Sequence, residues 1–184
     1  MLSRVEKFEA ALAQTECDAV LVTNLKNIYY LTGFSGTEAT VFISKKRRIF
    51  LTDARYTLIA KGVVEGFDIV ETRDAVGEIA KIVADDKLEK IGFDDEISYA
   101  YFKMLESVFA GHELVPMTGF IENLRMVKDE QEIATIRRAC QISDQAFLDV
   151  LDFIKPGQTT ELAVMNFLDA RMRQLGASGA SFDF

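Results

Sequence analysis

Over the first 120 positions, apolar residues come as short unbroken runs that alternate with residues repeating at three- and four-residue steps. Val5, Phe8 and Leu12 share one side of a helix predicted over residues 2–15, and the DAVLV run at 18–22 reads as a buried strand. A short helix over 24–31 ends at Gly33, and strands over 40–44 and 48–52 flank the charged turn SKKRR. The pattern continues with a helix over 55–61 stopped by Gly62, a strand over 68–71, a helix over 75–84 and a strand over 90–93. A helix over 99–109 and a strand over 113–116 complete it. Strands and helices alternating in this way, with one hairpin, define an α/β class: a mixed central sheet with flanking helices.

The texture changes after residue 128. Ile133, Ile136, Cys140, Phe147, Val150 and Ile154 recur at helical steps, or sums of them, which predicts one long amphipathic helix. Asp129 followed by Glu132 has the form of a capping box, and Pro156-Gly157 stops the helix. Thr159 or Thr160 then caps a second helix over 161–175, ended by Gly176. These features place a boundary near 121–128 and two domains, 1–125 and 126–184. An apolar stripe left in water forfeits about 25 cal/mol per Å² of burial, so the two helices call for a further surface to cover them. The ending GASGASFDF reads as the start of a strand, with no cap or polar tail, and implies that the chain is truncated.

Composition narrows the function classes. With 184 residues and 49% hydrophobic content there is material for a sizeable core. The 29 acidic and 21 basic residues give a net charge of −8, a field that disfavours nucleic acid and anionic membranes as partners. Charges run through the first 16 residues, and no stretch of about 18 apolar residues occurs, so a cytoplasmic protein is expected. Cys17 and Cys140 lack zinc-type spacing and are expected to be reduced, Cys140 as a small buried hydrophobe.

Candidate chemistry is sparse. The single histidine, His112, falls in a turn and reads as a solvated loop residue. Asp94, Asp95 and Glu96 follow a strand, where adjacent side chains diverge, so a solvated loop leading to a helix capped by Ser98 is expected. Asp53 occupies a strand-to-helix position suited to an N-cap. The basic cluster Lys45, Lys46, Arg47 and Arg48 is expected to be a solvated hairpin tip. The loop Gly33-Phe34-Ser35-Gly36-Thr37-Glu38 lacks the ending of a P-loop and is read in two ways. It is either a plain connection with Phe34 plugged into the core, or an exposed, mobile functional loop.

Three segments together carry a resemblance: NIYYLTGFSGTEATVFISKKRRIFLTDARY at 27–56, MVKDEQE at 126–132 and GASGASFDF at 176–184. In that order they resemble the amino-terminal part of Xaa-Pro dipeptidases and Xaa-Pro aminopeptidases, metallopeptidases of the creatinase-like (prolidase) class. The resemblance implies a ribonuclease H-like amino-terminal domain followed by two helices opening a truncated pita-bread catalytic domain. It also implies a homodimer acting on Xaa-Pro peptides, with two divalent cations (manganese, cobalt or zinc) in the complete protein. The family's metal ligands, two Asp, one His and two Glu, lie in the carboxy-terminal domain, so no catalytic or metal residue is assigned here, and this chain alone is expected to be inactive. The substrate-binding or dimer-loop residues it implies are Phe34, Ser35, Gly36, Thr37, Glu38, Arg55 and Tyr56, with Phe34 as an apolar wall and Glu38 as countercharge to a free amine. The alternative is a non-catalytic relative that binds peptides or proteins. A metal nuclease is weaker, given the net charge and the absence of convergent carboxylates.

Overall fold

The computed structural model describes residues 3–182. The chain divides into two compact units, residues 1–126 and 127–184, each taken by itself below.

In the first unit a six-stranded sheet is built from β1 (Ala19–Val22), β2 (Thr40–Ser44), β3 (Arg48–Thr52), β4 (Asp68–Glu71), β5 (Lys90–Phe93) and β6 (Glu113–Pro116), in the order β4-β3-β2-β1-β5-β6. The β2–β3 hairpin makes β1–β2 and β2–β3 antiparallel, with Leu21 opposite Phe42 and Phe42 opposite Ile49, while the remaining pairs are parallel. Parallel neighbours need crossover connections, and the helices that make them cover both faces. That explains the unbroken apolar run of β1, all four of whose residues are buried.

Period-two alternation splits the strand residues between two cores. On one face Val20, Val22, Val41, Ile43 and Phe50 pack with α1 (Arg4–Leu12), α2 (Leu25–Thr32), α3 (Thr57–Val63) and α6 (Phe120–Met126). On the other, Leu21, Phe42, Leu51, Ile91 and Phe93 pack with α4 (Ala75–Asp86) and α5 (Tyr99–Val108). Ser3 caps α1 through a capping box with Glu6; the expected start at Leu2 lies outside the described residues. Helix α6 has no counterpart in the sequence reading. It follows the left-handed Gly119 (φ 68°), and Ile121 is buried.

The second unit pairs α7 (Glu130–Phe153) with α8 (Glu161–Gln174). The capping box forms, with Glu132 N–H donating to Asp129 Oδ1 at 2.8 Å and Asp129 N–H to Glu132 Oε2 at 2.9 Å. Thr160 caps α8. Two expectations are corrected. Cys140 is exposed rather than buried; the buried positions of α7 are Ile142, Ala146 and Val150, while the stripe residues Ile136, Phe147 and Ile154 stay exposed. Apolar residues occupy more than one side of α7, and a single partner helix covers only one stripe. The expected strand near the end is also absent: residues 176–182 form turns and bends, since a strand requires a partner ladder. Residues 183–184 of that expectation lie outside the described residues.

Phe8 is completely buried, its ring edge-on to Phe120 at 5.3 Å. Phe8→Ala is expected to lower the stability of the first unit by about 3–5 kcal/mol. Phe147→Ala, at a residue 60% exposed, should change stability by less than about 0.5 kcal/mol. Urea denaturation of the two variants checks the contrast.

Candidate functional site

The loop after α2 is shaped by its two ends. Asn24 Oδ1 caps α2 by accepting from the N–H groups of Lys26 and Asn27, and Gly33 ends the helix at φ 74°, a left-handed conformation that glycine adopts without strain. Thr32 Oγ1 donates to Ile28 O at 2.7 Å and accepts the Phe34 N–H at 3.2 Å, turning the chain into the core. Phe34 is 1% exposed, its ring edge-on to Phe50 at 5.0 Å and to Tyr56 at 5.7 Å. A Cβ on Gly36 would lie 2.3 Å from the Phe34 ring, so only glycine passes over it. Thr37 Oγ1 and Tyr56 Oη are 2.8 Å apart, and Thr52 Oγ1 donates to Glu38 O at 2.6 Å.

The loop is therefore tethered at three points. Ser35, Thr37 and Glu38 face solvent as expected, but Phe34 does not. Its role as an apolar wall for substrate is corrected to that of a core anchor, because a ring packed between Phe50 and Tyr56 has no free face.

The junction of β3 and α3 supplies the other candidates. Asp53 is not the N-cap: that position is Tyr56, and Asp53 Oδ1 instead accepts the Arg55 N–H at 2.9 Å in an Asx turn. Asp53 Oδ2 also takes Arg55 Nε at 2.9 Å and Nη2 at 2.6 Å, while the guanidinium sits over the Tyr56 ring at 5.4 Å. Hydrogen bonding from Arg55 holds the Asp53 carboxyl below its ordinary range, and the Thr37 hydroxyl lowers the Tyr56 phenol. Glu38, Asp53, Arg55 and Arg73 line an open cleft of about 330 Å³ at this end of the sheet.

A second polar cluster escaped the sequence reading. Asp94 is only 8% exposed, not a solvated loop residue. Its Oδ2 accepts the N–H groups of Thr23 at 2.6 Å and Asn24 at 2.8 Å, and its Oδ1 accepts Asn27 Nδ2 at 3.2 Å. Buried Asn27 also donates to Glu122 Oε1 at 2.7 Å and accepts from Arg125 Nη1 at 3.0 Å, joining α2 and the end of β5 to α6. Burial pushes the Asp94 carboxyl up and outweighs the hydrogen bonds that favour its charged form. The available signal was weak: an Asn three residues after a helix cap, and a carboxylate about 70 residues away that backbone amides could reach only in the folded sheet.

The remaining candidates are structural. His112 is half-buried, with Nδ1 2.9 Å from Leu88 O. In the basic cluster, Lys45, Lys46 and Arg47 are exposed as expected, while two-pronged ion pairs of Arg47 with Asp86 and of half-buried Arg48 with Glu9 also tie the hairpin to α4 and α1. Two catalytic cations would require several converging carboxylate and imidazole ligands. Among the described residues no three His, Cys, Asp or Glu side chains converge, so the residues present do not fit such a centre. No helix among them is long and apolar enough to cross a membrane.

This sheet order, with its tethered loop after α2, is a fold already known. The sequence model of the Creatinase/Prolidase N-terminal domain matches residues 4–127, and the chain belongs to this family. It is 36% identical over 182 residues to the uncharacterized peptidase YqhT of Bacillus subtilis, covering 98% of this chain and 51% of that protein. The solved Xaa-Pro dipeptidase from Bacillus anthracis superposes with a TM-score of 0.89 at 36% identity, over 98% of this chain and 51% of that one. An aminopeptidase P from Streptococcus thermophilus matches 67% of this chain and 96% of its own, with 58% identity and a TM-score of 0.65. The chain spans about half the length of the curated relatives it matches.

Asp94 gives a pH test. Its folded pKa is raised, so its stabilising contribution is complete below the unfolded value of about 3.9 and is lost as pH rises through the folded value. The stability of the native chain relative to Asp94→Asn should therefore fall as pH is raised from acid to neutral. Denaturation midpoints of both proteins across that range check it; a difference that grows with pH would refute it.

Proposed function

We propose that this chain is the amino-terminal part of a metal-dependent peptidase that hydrolyses Xaa-Pro bonds, working as a homodimer. The observation that carries the reading is that the likeness to a solved Xaa-Pro dipeptidase runs through 98% of the chain, α7 and α8 included. On this reading residues 126–184 open the catalytic domain, and the metal ligands come from the part of the protein's length that this chain does not span. The Xaa-Pro amide is tertiary and offers no N–H, so a site that recognises it must hold the substrate by other groups, its free amine among them.

Ser35, Gly36, Thr37, Glu38, Arg55 and Tyr56 are the groups this chain offers for substrate or partner-subunit contact. The loop is presented on a fixed base, because Phe34, Tyr56 and Thr52 tether it while Glu38 stays in solvent. A carboxylate held in that way suits a peptide ammonium through a charge-assisted hydrogen bond.

In the complete protein, proline release from L-alanyl-L-proline should require added divalent cation. Glu38→Ala should raise KM about 3–10-fold and leave kcat within about twofold, as expected when a contact common to ground and transition states is removed. An unchanged KM with a lowered melting temperature would assign Glu38 to the scaffold. Peptide binding without any hydrolysis would replace the reading with that of a non-catalytic peptide-binding relative.

A further inference from the structure

Helix α3 carries apolar residues on two sides. Ala60 and Val64 turn into the core of the first unit, whereas Leu58, Ile59 and Val63 are 83%, 54% and 46% exposed. A single exposed leucine is ordinary on a protein surface. Three large apolar side chains within six residues form a ridge, the kind of patch that marks a contact with another molecule.

Gly62 lies inside this helix, one turn after Leu58 and on the same face. Glycine weakens a helix interior, yet here neither the backbone nor crowding calls for it: φ is not positive, and an added Cβ would meet nothing within 4 Å. The missing side chain leaves a notch open to the outside. Charge is arranged about the same pair of residues, since Arg55 lies three positions before Leu58 and Glu65 three after Gly62, both exposed. Asp53 engages Nε and Nη2 of Arg55 and leaves the Nη1 donors outside that pair. The Glu65 side chain makes no ion pair or hydrogen bond among the described residues.

In a two-fold contact, residue i of one copy meets residue j of the other, and j meets i. With two α3 helices antiparallel and the axis midway between Leu58 and Gly62, each Leu58 falls on the partner's Gly62. The same register sets each Arg55 against the partner's Glu65. Ile59 then meets the aliphatic stem of the partner's Lys61. A parallel pair would instead place Arg55 on Arg55 and Glu65 on Glu65, which like-charge repulsion disfavours. Shape and charge thus select one arrangement.

We propose that the exposed face of α3 is a docking surface for a second copy of this chain, with Leu58 seated on the partner's Gly62 and Arg55 paired with the partner's Glu65. The assignment rests on the reading of the protein as a homodimer and names a surface for it within the first unit. Two short helices bury little area, at the weak end of specific interfaces, so a dissociation constant of about 10–100 µM is expected.

Sedimentation equilibrium of the 184-residue chain tests it. Leu58→Asp and Gly62→Leu should each weaken association about tenfold or more, the first by charging the ridge and the second by filling the notch. Both positions are exposed, so the melting temperature of dilute protein should stay native. Glu65→Arg should weaken association about threefold, and the double swap Arg55→Glu with Glu65→Arg should return it to within about twofold of native. A native chain that stays monomeric up to about 1 mM would overturn the proposal. Association unchanged in Leu58→Asp but lost in Phe147→Asp would move the contact to α7 and overturn it as well, and a double swap no tighter than Glu65→Arg would overturn the antiparallel register. Because the homodimer reading is measured on the complete native protein, a monomeric 184-residue chain leaves that reading standing.

Discussion

The burial of Phe34 is the constraint on which the candidate site depends. Its ring fills the space between Phe50 on β3 and Tyr56 at the start of α3, and this aromatic group locks the loop after α2 to the hairpin and its exit. Edge-on aromatic pairs add about 0.5–1.5 kcal/mol to the burial of the rings themselves. Gly36 can cross the ring only because it has no side chain, and the Tyr56 hydroxyl, fixed by the same packing, reaches Thr37. What remains for solvent is a short run of polar groups, Ser35, Thr37 and Glu38, held on a base of core residues.

The sheet explains why the candidate residues gather at one end of the first unit. The β2–β3 hairpin brings the chain entering β2 beside the chain leaving β3, and the parallel β3–β4 pair adds the segment entering α4. Three loops therefore meet where backbone ladders stop. Ligands commonly sit in such crevices beyond the ends of sheet strands. Along the sheet, Asp94 performs a different service: it satisfies two backbone amides of the β1–α2 turn and, through Asn27, fastens α6.

Much of this architecture is legible in the sequence for a local reason. Strand runs, the charged hairpin turn and helix caps such as Asn24, Ser98 and Asp129 are written within windows of a few residues. The misreadings share the opposite property. Asp94 reads as solvated from sequence because its partners, Thr23 and Asn24, lie some 70 residues earlier and meet it only across the β1–β5 pair. Cys140 reads as buried because periodicity identifies an apolar face but not which of two faces a neighbour covers. Asp53 failed as a cap by a register of three residues, since an Asx turn and an N-cap use the same side-chain chemistry. The seven-residue α6 is too short to show a period. Phe34 was the instructive case: both readings were open from sequence, and packing decided for the core.

An aromatic anchor, rather than an unrestrained glycine-rich loop, presents Ser35, Thr37 and Glu38. Amide hydrogen exchange across residues 33–39 tests it directly, in the native chain and in Phe34→Leu, which keeps an apolar side chain but removes the ring. Slowed exchange is expected at these amides in the native chain, with a marked acceleration confined to this segment and the start of α3 in the variant. Rapid exchange in both proteins, with no difference between them, would contradict it.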